Sequence, residues 1–506
     1  MARKIEIDIP MNRVEGDLEV RVEIEDGRVT QAWCSGTMYR GFEQLLRGRG
    51  AKDGLVLTPR ICGICTTSHL TAAVLALDEI SQVKVPTNAL WVRSLVHAVE
   101  HVQSDVRQMV LMVAPDLVNP HFSASPSYAE ALARYAPLSG TSAIAVIQQT
   151  KRVLEIVAIL GGQWPHSSFM VPGGIVSNPT SGDLLQCGHQ LQEYTRWYER
   201  FVLGCSIQRW REVTSLELLE QWLEESPDHR DGELGFFLRY GRELGLHTLG
   251  VGCGAYLSAG GLEIPTGDSS ARFVRAGFSS DAGLEELDHA YIAEHIEHSW
   301  FVGYEGGRHP YAGETTPYAT GGEGKKYSWA KAPRYKNTVV ETGPLAQRLV
   351  AKDPLYESLL EAYGPSALVR QLARLARPAT LLPEMMTWLR AIRPDQECYV
   401  SPEPIVRGRG CGLTEASRGV LGHWVQIEDG KIDRYQIITP TAWNASPRDS
   451  DGKPGPIEQA LVGAPVADLD NPVELGLIVR SFDPCLVCTV HAVTRDGAVG
   501  HYRLGL

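Results

Sequence analysis

No uninterrupted apolar run of membrane-spanning length occurs in the 506 residues. The nearest approach, MVLMVAPDLV, is about half the length a bilayer demands and carries an aspartate. The N-terminus, MARKIEIDIPMNRVEG, has no apolar core of the kind a secretory signal needs. The expectation is a cytoplasmic protein, with any membrane association made through partners. A surplus of basic residues is also missing. Lys and Arg number 48 against 60 Asp and Glu, a formal charge of −12, so nothing is available to neutralise a phosphate backbone and no nucleic-acid partner is expected. The glycine-rich stretch GVGCGAYLSAGG at 250–261 lacks the spacing and the strand-to-helix setting of a dinucleotide fingerprint. Cysteine is sparse: ten in all, too few to staple a chain of this length with disulfides. Hydrophobic content of 43% with 21% charge sets aside disordered and fibrous classes.

What is present is organised as two β-rich ends around a helical middle. KIEIDIPMNRVEGDLEVRVEIEDGRVTQAWC alternates with period two, and its EDG predicts a hairpin turn. GVLGHWVQIEDGKIDRYQIITP repeats that pattern near the other end. Between them, SHLTAAVLALDEISQV and TNALWVRSLVHAVEHVQSDVRQMVLMVA have helical periodicity, and 142–160, 183–203 and 363–392 are further helical candidates. The segment 304–336, rich in Gly, Pro and Tyr, reads as irregular loops. The fold class expected is mixed α/β, predominantly helical: a central long-helix bundle with β-rich elements near both termini, about 1–60 and about 405–491.

Only two cysteine pairs are close in sequence. RICGICTTSH supplies Cys62, Cys65 and His69, and DPCLVCTVH supplies Cys485, Cys488 and His491. A two-residue spacing lets both sulfurs of a pair reach one metal, and four thiolates form a soft donor set that would tie the chain ends together. On this chemistry alone, structural zinc, an iron-bearing redox centre and no shared metal all stay open. Cys34, Cys187, Cys205, Cys253, Cys398 and Cys411 have no comparable surroundings and read as buried small hydrophobes.

The two cysteine signatures, with RVEGD at 13–17, RGFE at 40–43, EASRGVLGHW at 415–424 and PTAWNASPRD at 440–449, resemble the large subunit of nickel-iron hydrogenases over almost the whole chain. QSDVR at 103–107 resembles the cytosolic uptake or sensory-type branch. The resemblance implies nickel held by four thiolates, Cys62 and Cys485 terminal, Cys65 and Cys488 bridging to an iron that carries one carbon monoxide and two cyanides. It places Arg418 above the open metal position and Pro440 and Thr441 against a cyanide. Glu15 would exchange protons with a terminal cysteine, and Glu43 and His491 would hold Mg2+ or a similar divalent ion. His69 and His166 would order the surroundings of the centre. Two departures stand out: Asp17 replaces a frequent histidine, and Ser104 occupies a position where relatives carry an aspartate, with Asp105 one residue later.

The activity implied is reversible heterolytic cleavage of dihydrogen in the uptake direction, with Cys485 or Arg418 receiving the proton and Glu15 relaying it. A hydrogen sensor and a non-catalytic structural or quinone-binding relative are the alternatives. After the four cysteines are assigned, no four-cysteine block remains for an iron–sulfur cluster, so the resemblance places those clusters in a small-subunit partner. It further implies nickel-insertion proteins, a maturation protease cutting after His491 to release 492–506, a single intertwined unit over 1–491, and a higher oligomer of heterodimers.

Overall fold

The computed structural model describes residues 4–489 apart from 138, 268, 314 and 320–323. The N-terminal sheet is antiparallel, β1 (Ile5–Met11), β2 (Leu18–Glu25) and β3 (Arg28–Gly36) in that order. Leu18, Val20, Val22 and Ile24 point inward at period two, so one face of β2 lies in the core. Asp26 and Gly27 form its hairpin turn with φ of 49° and 74°, the two positive values that a type I′ connection requires. The second EDG does the same: Asp429 and Gly430 (φ 50° and 73°) join two strands of a C-terminal sheet described below.

Five long helices form the middle: α1 (Thr66–Ser81), α2 (Thr87–Arg107), α3 (Thr141–Gly161), α4 (Ser181–Tyr198) and α5 (Ala367–Ala391). Their bounds match the periodicity of the sequence closely, and α2 runs on through a π-turn at Gln108–Val113. The C-terminal sheet is β4 (Gly408–Ala416), β5 (Gly419–Glu428) and β6 (Lys431–Ile438), again antiparallel in chain order. It packs on α1 so closely that a Cβ at Gly412 would lie 1.8 Å from the Ala72 carbonyl oxygen. Three short helices follow, at Pro440–Asn444 (α6), Pro456–Leu461 and Val473–Ser481 (α7), and then the single turn α8 (Leu486–Thr489). The 304–336 stretch is mostly irregular where described, as its composition predicts. Among the described residues no helix is long and apolar enough to cross a membrane.

The two ends are stitched together by backbone. Val29 N–H donates to the Ala464 carbonyl at 3.0 Å and Gly463 N–H returns to Val29 at 2.8 Å. Closer to the cysteines, Glu15 and Cys485 form a parallel bridge, and the Glu15 carbonyl accepts from Leu486 N–H at 2.5 Å and Val487 N–H at 3.2 Å. Gly16 makes this approach feasible. Its φ is +87° and a Cβ there would stand 2.7 Å from the Val487 nitrogen. Gly48, with φ +79° and nothing within 4 Å of the same point, supplies a control. Gly48→Ala should cost about 1 kcal/mol from backbone strain alone, and Gly16→Ala clearly more. Denaturant unfolding of both variants checks this; equal losses would mean that the strand-to-helix contact is not close.

Candidate metal centre

Each cysteine is presented by a turn that the local sequence dictates. Cys62 to Cys65 form a tight loop between the Thr58–Arg60 3-10 turn and α1, where Cys65 is the residue before the first helical one. Ile64 N–H donates to Cys62 Sγ at 3.4 Å. Cys485 follows Asp483, whose φ of 54° turns the chain, and Pro484; its N–H donates to Thr441 Oγ1 at 2.8 Å. Thr441 is presented by α6, started by Pro440 at its first position and capped by the Thr439 side chain accepting from Ala442 N–H. The Arg40 guanidinium donates to the Ile61 carbonyl and, at 3.2 Å, to the Val487 carbonyl, clamping the two cysteine turns together.

The sulfurs of Cys62, Cys65 and Cys485 all lie within 4.8 Å of one another, fully buried. Cys62 and Cys485 are 3.7 Å apart. Two sulfurs on one tetrahedral ion at a metal–sulfur distance of about 2.3 Å sit about 3.8 Å apart, whereas a disulfide requires about 2.05 Å. The spacing therefore fits shared coordination. Cys488 belongs to α8, but its side chain and the whole of His491 lie outside the described residues.

Arg418 occupies the two-residue turn Ser417–Arg418 between β4 and β5, where Ala416 pairs with Gly419. A hairpin tip is usually solvent-exposed; this one is buried. Burial alone would lower the arginine's pKa, but Asp483 and then the Cys485, Cys65 and Cys62 thiolates outweigh it and hold the guanidinium protonated. Arg418 Nε lies 3.1 Å from Asp483 Oδ1 as an ion pair, and neither Nε nor Nη1 has a hydrogen-bond partner of good geometry among the described residues. A buried, unpaired donor beside three thiols fits a centre that carries its own polar ligand. The neighbouring Glu415 takes no part in this pair: it accepts from Ala259 N–H and Gln347 Nε2, each at 2.6 Å.

Glu15 is half-buried, and burial, followed by the Cys62 thiolate, raises its pKa against the opposing pull of Arg418. His69 is buried on α1, and burial lowers it to about 4, so its ring is neutral. Its Nδ1 meets His423 Nε2 at 3.1 Å, and His423 Nδ1 meets the Tyr435 hydroxyl at 2.9 Å, leaving only Nε2 for a sulfur. His166 turns aside, its Nδ1 at 2.8 Å from the Pro59 carbonyl. Glu43 is buried and accepts from Ile437 N–H at 3.1 Å. Beside it, Gln436 Nε2 donates to Glu294 at 2.7 Å and Lys331 lies 3.7 Å from the same carboxylate. Asp105 is fully buried, but its two oxygens engage Arg377 at 2.6 and 2.8 Å and not Arg418. Ser104 is buried next to it.

Several residues here escape a reading of the sequence alone. Asp483 precedes the cysteine motif directly, and that adjacency was the signal for it. Arg374 and Arg377 stand out, with Arg370, as charges among the buried apolar residues of the first half of α5. Glu100 caps the N-terminus of α1, accepting from Thr67 N–H at 2.6 Å, Ser68 N–H at 3.2 Å and the Ser68 hydroxyl, and only tertiary structure discloses it.

Geometry and donor chemistry together define a buried thiolate metal centre built from both ends of one chain. The chain belongs to the family of nickel-dependent hydrogenases, whose family model matches residues 40–143 and 242–491. It is 34% identical to the periplasmic [NiFeSe] hydrogenase large subunit of Desulfomicrobium baculatum, over 98% of this chain and 96% of that one. It is 28% identical to the uptake hydrogenase large subunit of Rhizobium leguminosarum bv. viciae, over 98% and 96%. The crystal structure of the reduced, active Ni-Fe-Se hydrogenase from Desulfomicrobium baculatum superposes with a TM-score of 0.81 at 33% identity, covering 97% of this chain and 100% of that one. The protein is thus an enzyme, a catalytic hydrogenase large subunit with the mixed, predominantly helical fold expected, and the family implies a small iron–sulfur subunit as partner. The Desulfomicrobium relative is a selenium enzyme by name; here all four ligand candidates are cysteine.

Two expectations change. The cytoplasmic placement is overturned by the Desulfomicrobium relative, which is periplasmic. The relatives are periplasmic and uptake-type enzymes, so QSDVR does not mark a cytosolic or sensory branch; its aspartate is occupied in the ion pair with Arg377.

Burial lifts the Glu100 carboxyl from 4.5 to about 7 in spite of its three donors. The folded chain then keeps this proton where the unfolded chain has lost it, so stability declines as pH rises from about 4.5 to about 7. Glu100→Gln stays neutral throughout and should flatten that decline, by up to about 3 kcal/mol. Denaturant unfolding of the purified complex at pH 5 and pH 8 measures it, and an unchanged slope would show that Glu100 is ionised throughout.

Proposed function

We propose that Cys62, Cys65, Cys485 and Cys488 hold a nickel–iron centre that oxidises dihydrogen, with Cys62 and Cys485 terminal on nickel and Cys65 and Cys488 bridging to iron. The observation that carries the reading is the convergence of three thiols from opposite chain ends within 4.8 Å, beside a buried arginine with an unpaired donor. A carbon monoxide and two cyanides on iron suit these surroundings: Arg418 Nη1 is free to donate to one cyanide, and Thr441, whose hydroxyl accepts from Cys485 N–H and keeps its own proton to donate, faces the other beside Pro440. When bound, such a centre acts as a Lewis acid on dihydrogen and stores its electrons.

The chain's own residues do the rest. Arg418 is a fixed positive charge over the reacting position. Cys485 receives the proton, since Arg418, held protonated by Asp483 and the thiolates, cannot; Glu15, held against Cys485 by its own backbone, is placed to pass it outward, its raised pKa bringing it nearer working pH. His69, oriented by His423, orders the cysteine surroundings, with His166, Ser104 and Asp105 behind it. Glu43 and His491 hold Mg2+ or a similar ion, a reading supported by the polar set of Glu294, Gln436 and Lys331 around buried Glu43. The unit is a single intertwined body over 1–491. Nickel-insertion proteins and a maturation protease complete it by releasing 492–506 after His491. Iron–sulfur clusters reside only in the small subunit, heterodimers associate further, and the direction is uptake, as in the Rhizobium relative's name.

Metal analysis and hydrogen-dependent dye reduction by the purified complex test this. Cys485→Ser should lose nickel and activity together. Glu15→Gln should keep nickel and lose turnover by roughly 10²–10⁴-fold. Zinc in place of nickel in the wild type, or a Cys485→Ser complex with undiminished dye reduction, would overturn the assignment.

A further inference from the structure

Helix α5 carries three buried arginines, Arg370, Arg374 and Arg377. Arg370 is accounted for by a two-pronged pair with Glu341, both contacts 2.8 Å. The other two meet the turn that bears Arg418. Arg377 Nη2 donates to the Ser417 carbonyl at 2.8 Å while the same fork grips both oxygens of Asp105. Arg374 Nη1 reaches the Ser417 carbonyl at 3.3 Å and lies 3.1 Å from Asp483 Oδ2 and 3.6 Å from Asp105 Oδ1. The other oxygen of Asp483 faces Arg418 at 3.1 Å. One carboxylate is therefore shared between the α5 arginine and the turn arginine. Arg418, Asp483, Arg374, Asp105 and Arg377 form an alternating row of buried charges.

Such a row is an inefficient way to stabilise a fold, since apolar side chains of similar volume usually do as well or better. What it offers is direction. The Arg418 turn is only two residues long, and the next residue, Gly419, has φ +128° and leaves no room for a Cβ against Thr342 Oγ1 at 2.4 Å. The backbone of the turn is thus fixed by packing on one side and by two guanidinium donors to the Ser417 carbonyl on the other. We propose that Arg374 and Arg377 are positioning residues for Arg418: they hold the Ser417 carbonyl and the Asp483 counter-charge, so that the Arg418 guanidinium keeps a single orientation toward the cysteines. The inference rests on the reading that Arg418 acts on the bound centre. A lysine at 377 keeps the buried charge but loses the planar fork that spans both oxygens of Asp105 while holding the Ser417 carbonyl; a lysine at 374 ends one atom short of the Nη1 that reaches the Ser417 carbonyl and Asp483.

Arg374→Lys and Arg377→Lys in the purified complex test it, with Arg334→Lys as the control. Arg334 is equally buried and bonds Asp449 at 2.8 Å but does not touch the turn. Nickel content, kcat and KM for hydrogen, and the crystallographic position of the Arg418 guanidinium are the readouts. The two α5 variants should keep nickel and KM, lose roughly 10²-fold in kcat and show Arg418 swung away from Asp483, while Arg334→Lys keeps wild-type kcat. Wild-type kcat in both α5 variants, or a loss of kcat with Arg418 unmoved, overturns the inference, and either α5 variant decides it should the other fail to assemble. Arg418→Lys separates the two levels: if it too keeps full kcat, the role of Arg418 itself is wrong; if it does not, only the positioning claim fails.

Discussion

Everything else in this chain follows from the need to bring sulfurs from residues 62, 65 and 485 to one buried point. Uncompensated thiolates that close together repel, and a metal is the ordinary means of holding them. The surrounding structure fixes the turns that present these sulfurs. Backbone bonds from Glu15 fix the turn that bears Cys485, Arg40 clamps that turn to the other cysteine loop, and Thr441 takes the Cys485 N–H. The β-rich ends and their mutual pairing serve this convergence, because a site made of residues more than four hundred positions apart has no local route to assembly.

Charge is arranged around the same point with unusual density for a protein interior. Positive groups stand on one side as the Arg418, Arg374 and Arg377 row, interleaved with Asp483 and Asp105. Carboxyls flank it as Glu15 and Glu100, both pushed up by burial. Such groups are expensive to bury, and their cost is offset by neighbours that pair with them one by one. A site able to separate a proton from dihydrogen needs this combination: a permanent cation that cannot take part in acid–base exchange at ordinary pH, and a carboxyl that can.

Much of this was legible in the sequence. Both EDG turns, the strand alternation at the ends and the long helices were readable because they depend on local rules of period and turn chemistry. The cysteine signatures pointed to the centre, and their neighbours Glu15, Arg418, Thr441 and Glu43 are all buried or half-buried around it or its supporting elements. The rest was hidden for a consistent reason. Asp483 and Arg374 acquire meaning only through each other, from segments separated by more than a hundred residues. His69 was expected to order the surroundings of the centre, but its partner, His423 on β5, is 354 residues away and only the fold brings the two rings together. Asp105 carried the appearance of a branch marker, and the fold uses it as an ion-pair anchor. The compartment expected from the sequence differs from that of the periplasmic Desulfomicrobium relative.

The central claim is that a nickel ion is bound by thiolates from both chain ends. Nickel-edge X-ray absorption on the purified complex tests it most directly. The account predicts a first shell dominated by sulfur, with an iron scatterer close behind it, and loss of that sulfur shell when Cys62 or Cys485 is replaced by serine. A first shell of nitrogen and oxygen, or a sulfur shell that survives both substitutions, would contradict it.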